Sequence, residues 1–325
     1  MFFANRQIEQ MDRAALEQLQ TKRLLKTIDW AFSRSPFYRE KFQTAGISPQ
    51  DVASIADIPR LPFTCTKELQ QASMHDFLTV PLSSVARVSL WEHPWPIIKA
   101  YTTQDIGHNV ELMTRSLAAA DITRASVVGI LGDLADSALA DIQYALELVG
   151  AAVVPLSTDY DRAMKLLDAS GADTIIGSSR RLLQLVVQLQ AANRDILEFP
   201  LSKILCLNDM IQNPLKSHIE KRTATEVYNL FASSALGCAG MLFQCCERSG
   251  QHFQEDCFYP EIIEFGGNQV IEGASQVGEL VVTSLIAEAM PLFRFRTGQT
   301  VMRLEEPCAC GRTLMRLMTP FGQYS

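Results

Sequence analysis

Side chains that can bind a metal ion are concentrated in the last third of the chain. Five of the eight cysteines lie between residues 245 and 310, namely Cys245, Cys246, Cys257, Cys308 and Cys310, and His252 falls between them. Thiolates and imidazole together suit zinc in tetrahedral geometry. The pair Cys308-x-Cys310 is modest evidence by itself, because the spacings here are unusual for a zinc finger. Unrelated side chains in a turn-rich segment are therefore an open alternative.

Other patterns that could support catalysis are weaker. No Ser-His-Asp or Cys-His order stands out along the chain. Asp133 and Asp136 follow the apolar run Val127–Leu131, at the kind of strand-to-helix turn where open α/β sheets keep their ligand crevices. Both carboxylates could face a pocket, and Asp136 is also a plausible helix N-cap.

The elements that position these residues fall into two patterns. Residues 7 to about 41 carry apolar side chains at helical spacing, which predicts two amphipathic helices. From Ala125 to Phe231, short β-branched runs alternate with helical segments, which predicts a parallel sheet with helices on both faces. After Gly240 the pattern favours antiparallel strands joined by glycine-rich turns. We therefore expect an α/β part over residues 1–240 and a β-rich, barrel-like lobe with the metal ligands over residues 241–325.

Composition limits the classes of partner. The 325 residues are 47% hydrophobic with a mean hydropathy of +0.06, which is enough apolar material for a large core. A net charge of −7 and a pI near 5.3 give no cationic surface for nucleic acid or for a membrane. No run approaches the ~20 apolar residues of a membrane-spanning helix and no secretory signal is visible. A cytoplasmic protein is expected.

Several short segments resemble the phenylacetate-CoA ligase family of AMP-forming, adenylate-forming enzymes. They occur in the family's order from about residue 27 to residue 313: Ser35–Phe42, Leu61–Thr64, Tyr228–Phe231, Gly250–Asp256, Gly278–Thr283, Glu288–Leu292, Phe293–Gly298 and Cys308–Thr313. The resemblance implies the large domain of an adenylate-forming enzyme, with mostly parallel sheet layers flanked by helices and a small β-rich lobe. It also implies that Cys245, His252, Cys308 and Cys310 hold a structural zinc ion.

The stretch that corresponds to the family's phosphate-binding loop has a different amino-acid composition here. Family members have a Ser/Thr/Gly-rich loop ending in Lys-Pro, whereas the corresponding stretch from Ser89 to Lys99 contains no glycine. Trp91, Glu92, His93 and Trp95 occupy its middle, and rigid rings with an acid are a poor cradle for phosphate. The aromatic residues could instead occlude the old pocket or bind a planar ligand. Lys99 could supply one positive charge, although a solvated surface position is expected for it.

Two further positions depart from the family motifs. Ala235 stands where the family's Tyr-Gly-x-Ser-Glu type motif has the carboxylate that binds magnesium. Gln299 replaces the aspartate of Arg-Thr-Gly-Asp, which accepts hydrogen bonds from both ribose hydroxyls. The family's C-terminal lid, with its catalytic lysine, is also expected to be absent.

Together these departures predict a degenerate member that binds an aromatic or acyl carboxylate, or its activated form, without adenylating it. ATP and AMP are then not expected as cofactors, and no catalytic residue is assigned. An active ligase with a rearranged loop is one alternative, and a structural or oligomerisation subunit is another. Relatives of this kind often pair, so a homodimer is consistent with the resemblance.

Overall fold

The structure is a computed structural model that describes residues 2–91, 96–208, 211, 214–271, 273 and 275–320. The α-helices are α1 (Arg6–Glu9), α2 (Arg13–Arg34), α3 (Pro36–Thr44), α4 (Thr66–Gln71), α5 (Met74–Phe77), α6 (Thr103–Ala119), α7 (Ser137–Val149), α8 (Tyr160–Ser170), α9 (Ser179–Ala191) and α10 (Lys216–Thr223). Short 3-10 helices lie at Pro49–Asp51, Ile55–Arg60, Leu82–Ser84 and Ile196–Glu198.

The strands are β1 (Arg87–Trp91), β2 (Ile97–Tyr101), β3 (Val127–Leu131), β4 (Ala152–Pro155), β5 (Thr174–Ser178), β6 (Lys203–Asn208), β7 (Glu226–Ser233), β8 (Cys238–Phe243), β9 (Gln251–Phe253), β10 (Phe258–Ile263), β11 (Val277–Ser284), β12 (Phe295–Leu304) and β13 (Arg316–Met318). They belong to two compact units. The first contains Met1–Ala4, Asn109–Ala232 and Cys238–Gln251, and the second contains Asn5–His108, Ser233–Gly237 and His252–Ser325. Such units need not coincide with lobes, so the division at residue 240 stays a prediction.

The first unit is built on a parallel sheet, as the strand and helix alternation predicts. Its strands follow the order β8-β7-β6-β5-β3-β4, and the pairings from β4 through β3, β5 and β6 to β7 are parallel. Helices α7 to α10 connect successive strands, because parallel neighbours need a crossover. Gly150 and Gly171 end α7 and α8 in the left-handed region, with φ of 85° and 63°. The expected mixed α/β fold is confirmed.

Asp136 caps α7 in this unit. Its Oδ1 atom accepts a hydrogen bond of 2.8 Å from the Ala138 amide, and the neighbouring Asp133 accepts one of 2.9 Å from Ala135. Burial raises the pKa of Asp136 above its ordinary value. Asp136 was predicted either to face a pocket or to cap a helix, and in the structure it is the N-cap of α7.

The second unit begins with the helices predicted from the amphipathic pattern. These are α2 and α3, preceded by the single turn α1. Asp12 caps α2, and Ser35 caps α3 ahead of a proline at its first position. The rings of Tyr38 and Phe42 lie 5.0 Å and 5.6 Å from that of Phe293, centre to centre. This packing ties α3 to the segment before β12.

The strands of the second unit are antiparallel, as expected after Gly240. β10 pairs with β11, β11 with β12 and β12 with β13. Among the described residues these strands lie side by side in the order β10-β11-β12-β13. A separate hairpin is formed by β1 and β2, which pair antiparallel from Arg87 opposite Tyr101 to Trp91 opposite Ile97.

In the part of the chain that the structure describes, no helix combines the length and the apolar character needed to cross a bilayer.

Candidate functional site

The four predicted metal ligands come together. The ligand atoms of Cys245, His252, Cys308 and Cys310 all lie within 4.8 Å of one another, and all four residues are buried. Cys310 Sγ lies 3.3 Å from His252 Nε2. Cys246 is exposed, and the Cys257 thiol lies against Asp256 Oδ2 at 3.2 Å. The choice of Cys245 over its neighbours therefore agrees with the geometry.

Tight turns bring these ligands into position. Cys245 follows β8, and His252 is the middle residue of β9. Between them Arg248 donates its amide hydrogen bond to the Cys245 carbonyl, and Gly250 has a φ of 72°. Cys308 and Cys310 lie in a turn that closes when the Gly311 amide donates to the Cys308 carbonyl at 3.0 Å. Gly311 has a φ of 76°, a conformation that favours glycine.

The donor set fits a zinc ion. Ligand atoms about 2.0 to 2.3 Å from zinc in a tetrahedron lie roughly 3.6 to 3.8 Å from one another. A cluster whose longest separation is below 4.8 Å needs only a small contraction to reach that geometry. All four residues are buried, and three thiolates gathered there would depend on a cation for charge compensation. Four protein ligands would fill a tetrahedral shell and leave no position for a substrate.

The residues predicted for the degenerate nucleotide site are only partly described. Glu92, His93 and Trp95 lie outside the described residues. Trp91 ends β1, and its Nε1 atom donates to the Tyr101 hydroxyl at 2.9 Å. The Ser89 hydroxyl also contacts the Tyr101 hydroxyl, at 3.3 Å. The Trp91 side chain is thus anchored to β2.

The expected surface position of Lys99 is wrong. Lys99 is 3% exposed on β2, and its Nζ atom donates to the Met290 carbonyl at 3.0 Å. Asp105 holds that acceptor segment in place, since its carboxylate accepts the Glu288 amide at 2.7 Å and the Ala289 amide at 3.0 Å. The carboxylate of Asp105 also accepts the Thr102 amide at 2.9 Å. Lys99 is therefore an internal cation with a fixed partner.

Ala235 lies in the turn Ser233–Gly237, next to Lys99. The turn is closed by the Gly237 amide, which donates to the Ser233 carbonyl at 2.8 Å, and Gly237 has a φ of 69°. A Cβ atom added at Gly237 would lie 2.9 Å from the Tyr101 hydroxyl and 3.0 Å from Lys99 Cε. Only glycine allows this turn to approach β2 so closely. Ala235 itself is 3% exposed and contributes a methyl group.

Gln299 lies on β12, where the register against β11 shifts between Glu279 and Val281. The Glu279 carboxylate accepts Arg296 NH2 at 2.7 Å and the Gly298 amide at 3.2 Å. The Gln299 amide donates to Thr297 Oγ1 at 3.1 Å. Sequence reasoning assigned no role to Asp105 or Glu279. Glu279 lies inside the segment Gly278–Thr283 that carries the family resemblance, whereas Asp105 lies outside all of these segments.

A cavity of about 180 Å³ opens elsewhere in the second unit. It is lined by the side chains of one face of α2, by the start of α6 and by the segment after β11: Arg23, Lys26, Thr27, Trp30, Gln104, His108, Leu285, Ile286, Ala287 and Glu288. None of the predicted site residues that the structure describes belongs to this lining.

Comparisons with known proteins agree with the fold and with the motifs. No family model matches the chain. It is 28% identical over 323 residues to a phenylacetate-coenzyme A ligase of Thermus thermophilus, covering 98% of this chain and 72% of the relative. The phenylacetate-coenzyme A ligase of Escherichia coli K12 is 28% identical over 289 residues, which cover 87% of this chain and 66% of that relative.

Solved structures of acyl-CoA ligases share the fold. An open conformation of 2-hydroxyisobutyryl-CoA ligase, in complex with 2-HIB-AMP and CoA, superposes with a TM-score of 0.86 at 19% identity over 95% of this chain and 70% of that one. A long-chain-fatty-acid-CoA ligase of Archaeoglobus fulgidus gives a TM-score of 0.53 at 11% identity over 73% of this chain and 52% of that one. The protein is thus a homologue of the phenylacetate-CoA ligases with the fold of the adenylate-forming acyl-CoA ligases.

Proposed function

We propose that this protein binds a carboxylic acid, or an activated derivative of one, on an adenylate-forming scaffold that has lost ATP-dependent adenylation. The buried methyl group of Ala235, at the position where the resemblance places a magnesium-binding carboxylate, is the observation that carries this assignment. Magnesium requires oxygen ligands, and a methyl group offers none.

The replacement at Gln299 weakens nucleotide binding independently. A neutral amide oxygen accepts weaker hydrogen bonds than a carboxylate and cannot engage two ribose hydroxyls through two equivalent oxygens. Each lost charge-assisted interaction costs about 1.5–3 kcal/mol. Since about 1.4 kcal/mol corresponds to one decade, the two losses together amount to roughly 10²- to 10⁴-fold in nucleotide affinity or rate if they are additive.

Lys99 supports binding of an anionic ligand beside this turn. Its ammonium group is buried, and its Cε atom lies next to the glycine of the Ser233–Gly237 turn. A buried ammonium attracts a carboxylate or a phosphate more strongly than a solvated one, because the surrounding dielectric constant is low. The proposed ligand therefore presents its negative group towards Lys99. Phenylacetate and 2-hydroxyisobutyrate, the acids named for the relatives, are the first to test.

A second candidate function is an active AMP-forming ligase in which Lys99 supplies the phosphate charge from a rearranged loop. The 28% identity to ligases across 98% of this chain favours it. This candidate predicts ATP binding with magnesium and exchange of pyrophosphate into ATP in the presence of an acid.

Pyrophosphate exchange and calorimetry separate the two candidates. The purified protein is titrated with phenylacetate, benzoate and 2-hydroxyisobutyrate, and then with ATP and magnesium. We expect heat of binding with at least one acid and no acid-dependent exchange above background. Pyrophosphate exchange that depends on one of these acids would show that the protein is an active ligase. If none of the acids binds, the proposal of a carboxylate-binding site is wrong.

We also propose that Cys245, His252, Cys308 and Cys310 bind one structural zinc ion. The chemistry of the donor set and its burial support this assignment. With all four positions of the shell taken by protein, the ion would fix the turn between β12 and β13 against β9 and would not take part in a reaction. Metal analysis of protein purified without chelators should give one zinc per chain.

A further inference from the structure

The turn that carries Cys308 and Cys310 rests on the N-terminal residues of the second unit. The Thr313 amide donates to the Glu9 carbonyl at 3.0 Å, and the Thr313 hydroxyl donates to the Met11 carbonyl at 2.7 Å. In the other direction the Gln10 side chain donates to the Gly311 carbonyl at 3.0 Å. Residues 9 to 11 and residues 311 to 313 are thus joined by hydrogen bonds in both directions.

A buried ion pair reinforces this contact. Arg312 Nε donates to Glu9 Oε2 at 2.6 Å, and both side chains are 0% exposed. The other oxygen of Glu9 accepts the Asn5 amide at 2.8 Å, so the same carboxylate also closes the turn that starts α1. Two buried charges stabilise each other only while both stay in place. Displacement of α1 would leave Arg312, two residues from Cys310, without its counter-ion.

The segment that carries His252 is connected to the same helices. Glu255, three residues after His252, is fully buried, and its two carboxylate oxygens accept Arg13 NH1 of α2 and the Met315 amide, each at 2.5 Å. Its carbonyl accepts the Gln20 side chain at 2.8 Å. The Phe253 amide donates to the Met315 carbonyl at 2.8 Å. Both ligand-bearing segments therefore depend on α1 and α2 for their buried polar contacts.

We propose that metal binding and the seating of residues 5–13 are coupled, so that the ion acts as a latch for the N-terminal segment. This inference rests on the proposed zinc site. The ion joins His252 to Cys308 and Cys310, and through Glu255 and Arg312 it stabilises the surface on which α1 and the start of α2 lie. Coupling between two sites is reciprocal. Loss of the ion loosens residues 5–13, and loss of the Glu9 contact weakens metal binding.

Protease sensitivity of the unmutated protein tests the first half of this coupling. Trypsin cleaves after Arg6 and Arg13 only when the segment around them leaves its site. We expect cleavage at these two positions, followed by mass spectrometry of the fragments, to become at least tenfold faster after zinc is removed with a chelator and to return to the original rate when zinc is restored. Cleavage after the exposed Arg124, in the first unit, serves as the internal control and should not change.

Metal affinity of a variant tests the second half. Glu9→Gln keeps the size of the side chain and removes its charge, and Glu40→Gln is the matched control on an exposed position of α3. Glu9 acts on the site through Arg312, two residues from Cys310, whose buried charge it compensates. In competition with a chromogenic zinc chelator, Glu9→Gln should lose at least tenfold in zinc affinity while Glu40→Gln matches the unmutated protein.

The outcomes separate the latch from the metal site. If the unmutated protein binds no zinc, both are wrong. If it binds zinc but cleavage after Arg13 is equally fast with and without the ion, the site stands and the latch is refuted. Equal zinc affinity for Glu9→Gln and Glu40→Gln would refute it as well. The carboxylate-binding function is measured separately and does not depend on either result.

Discussion

Replacing Lys99 by methionine removes the one internal cation that we place beside the ligand. The side chain keeps nearly the same length, so the turn Ser233–Gly237 retains its neighbour on β2. A charge-assisted hydrogen bond contributes about 1.5–3 kcal/mol, and about 1.4 kcal/mol is one decade in affinity. Lys99 is only 3% exposed, so solvent does not screen the interaction and the full range applies. Affinity for the bound acid should therefore fall by roughly 10- to 150-fold.

The assay is calorimetric titration with the acid that binds the unmutated protein most tightly. Lys67→Met, on an exposed position of α4, is the matched control and should bind the acid normally. Lys99→Met also leaves the Met290 carbonyl without the donor seen at 3.0 Å, so both variants are measured well below their unfolding temperatures. An affinity within twofold of the unmutated value would show that the acid does not lie against Lys99, and the placement of the ligand would be wrong.

Three further changes have defined outcomes. Ala235→Glu combined with Gln299→Asp should create magnesium-dependent ATP binding detectable by calorimetry; equal ATP affinity before and after the change would contradict our explanation of the lost site. Glu261→Gln should lower the free energy of unfolding in urea by about 3–5 kcal/mol, because it breaks a buried pair in which Arg294 contacts both carboxylate oxygens, at 2.9 Å and 3.0 Å. Burial raises the pKa of Asp136 above 3.8, so its folded form holds a proton that the unfolded chain has released, and this contribution to stability declines as pH rises above that value. Asp136→Asn should keep the cap and remove this decline, as urea midpoints measured from pH 4 to 7 would show.

Local patterns in the sequence were sufficient for the strands and helices from β3 to β7. Each crossover from β3 to β7 combines a short β-branched run with a helical segment, and the ends carry recognisable caps such as Asp136 and Gly150. These signals involve residues close together in the chain, so their physical meaning does not depend on the rest of the fold. The order in which the strands pair could not be predicted in this way, because the periodicity of one segment says nothing about which strand lies beside it.

The four residues that cluster in the structure could be named from the sequence because the resemblance supplied their identity. Spacing alone could not choose between Cys245 and Cys246, which are adjacent in sequence. The turn after β8 decides, because it buries one thiol and exposes the other. The assignment of zinc itself stays a prediction, as does the loss of function at Ala235 and Gln299.

By itself the sequence determined the α/β class, the helices and strands from β3 to β7, the absence of glycine between Ser89 and Lys99, and the residue types available for a metal. Only the tertiary structure decided that Lys99 is internal. Its partner Met290 is 191 residues away, and Arg312 and Glu9 are 303 residues apart. Burial and ion pairing depend on which distant backbone and side-chain groups the fold brings near, and no local pattern of residues contains that information.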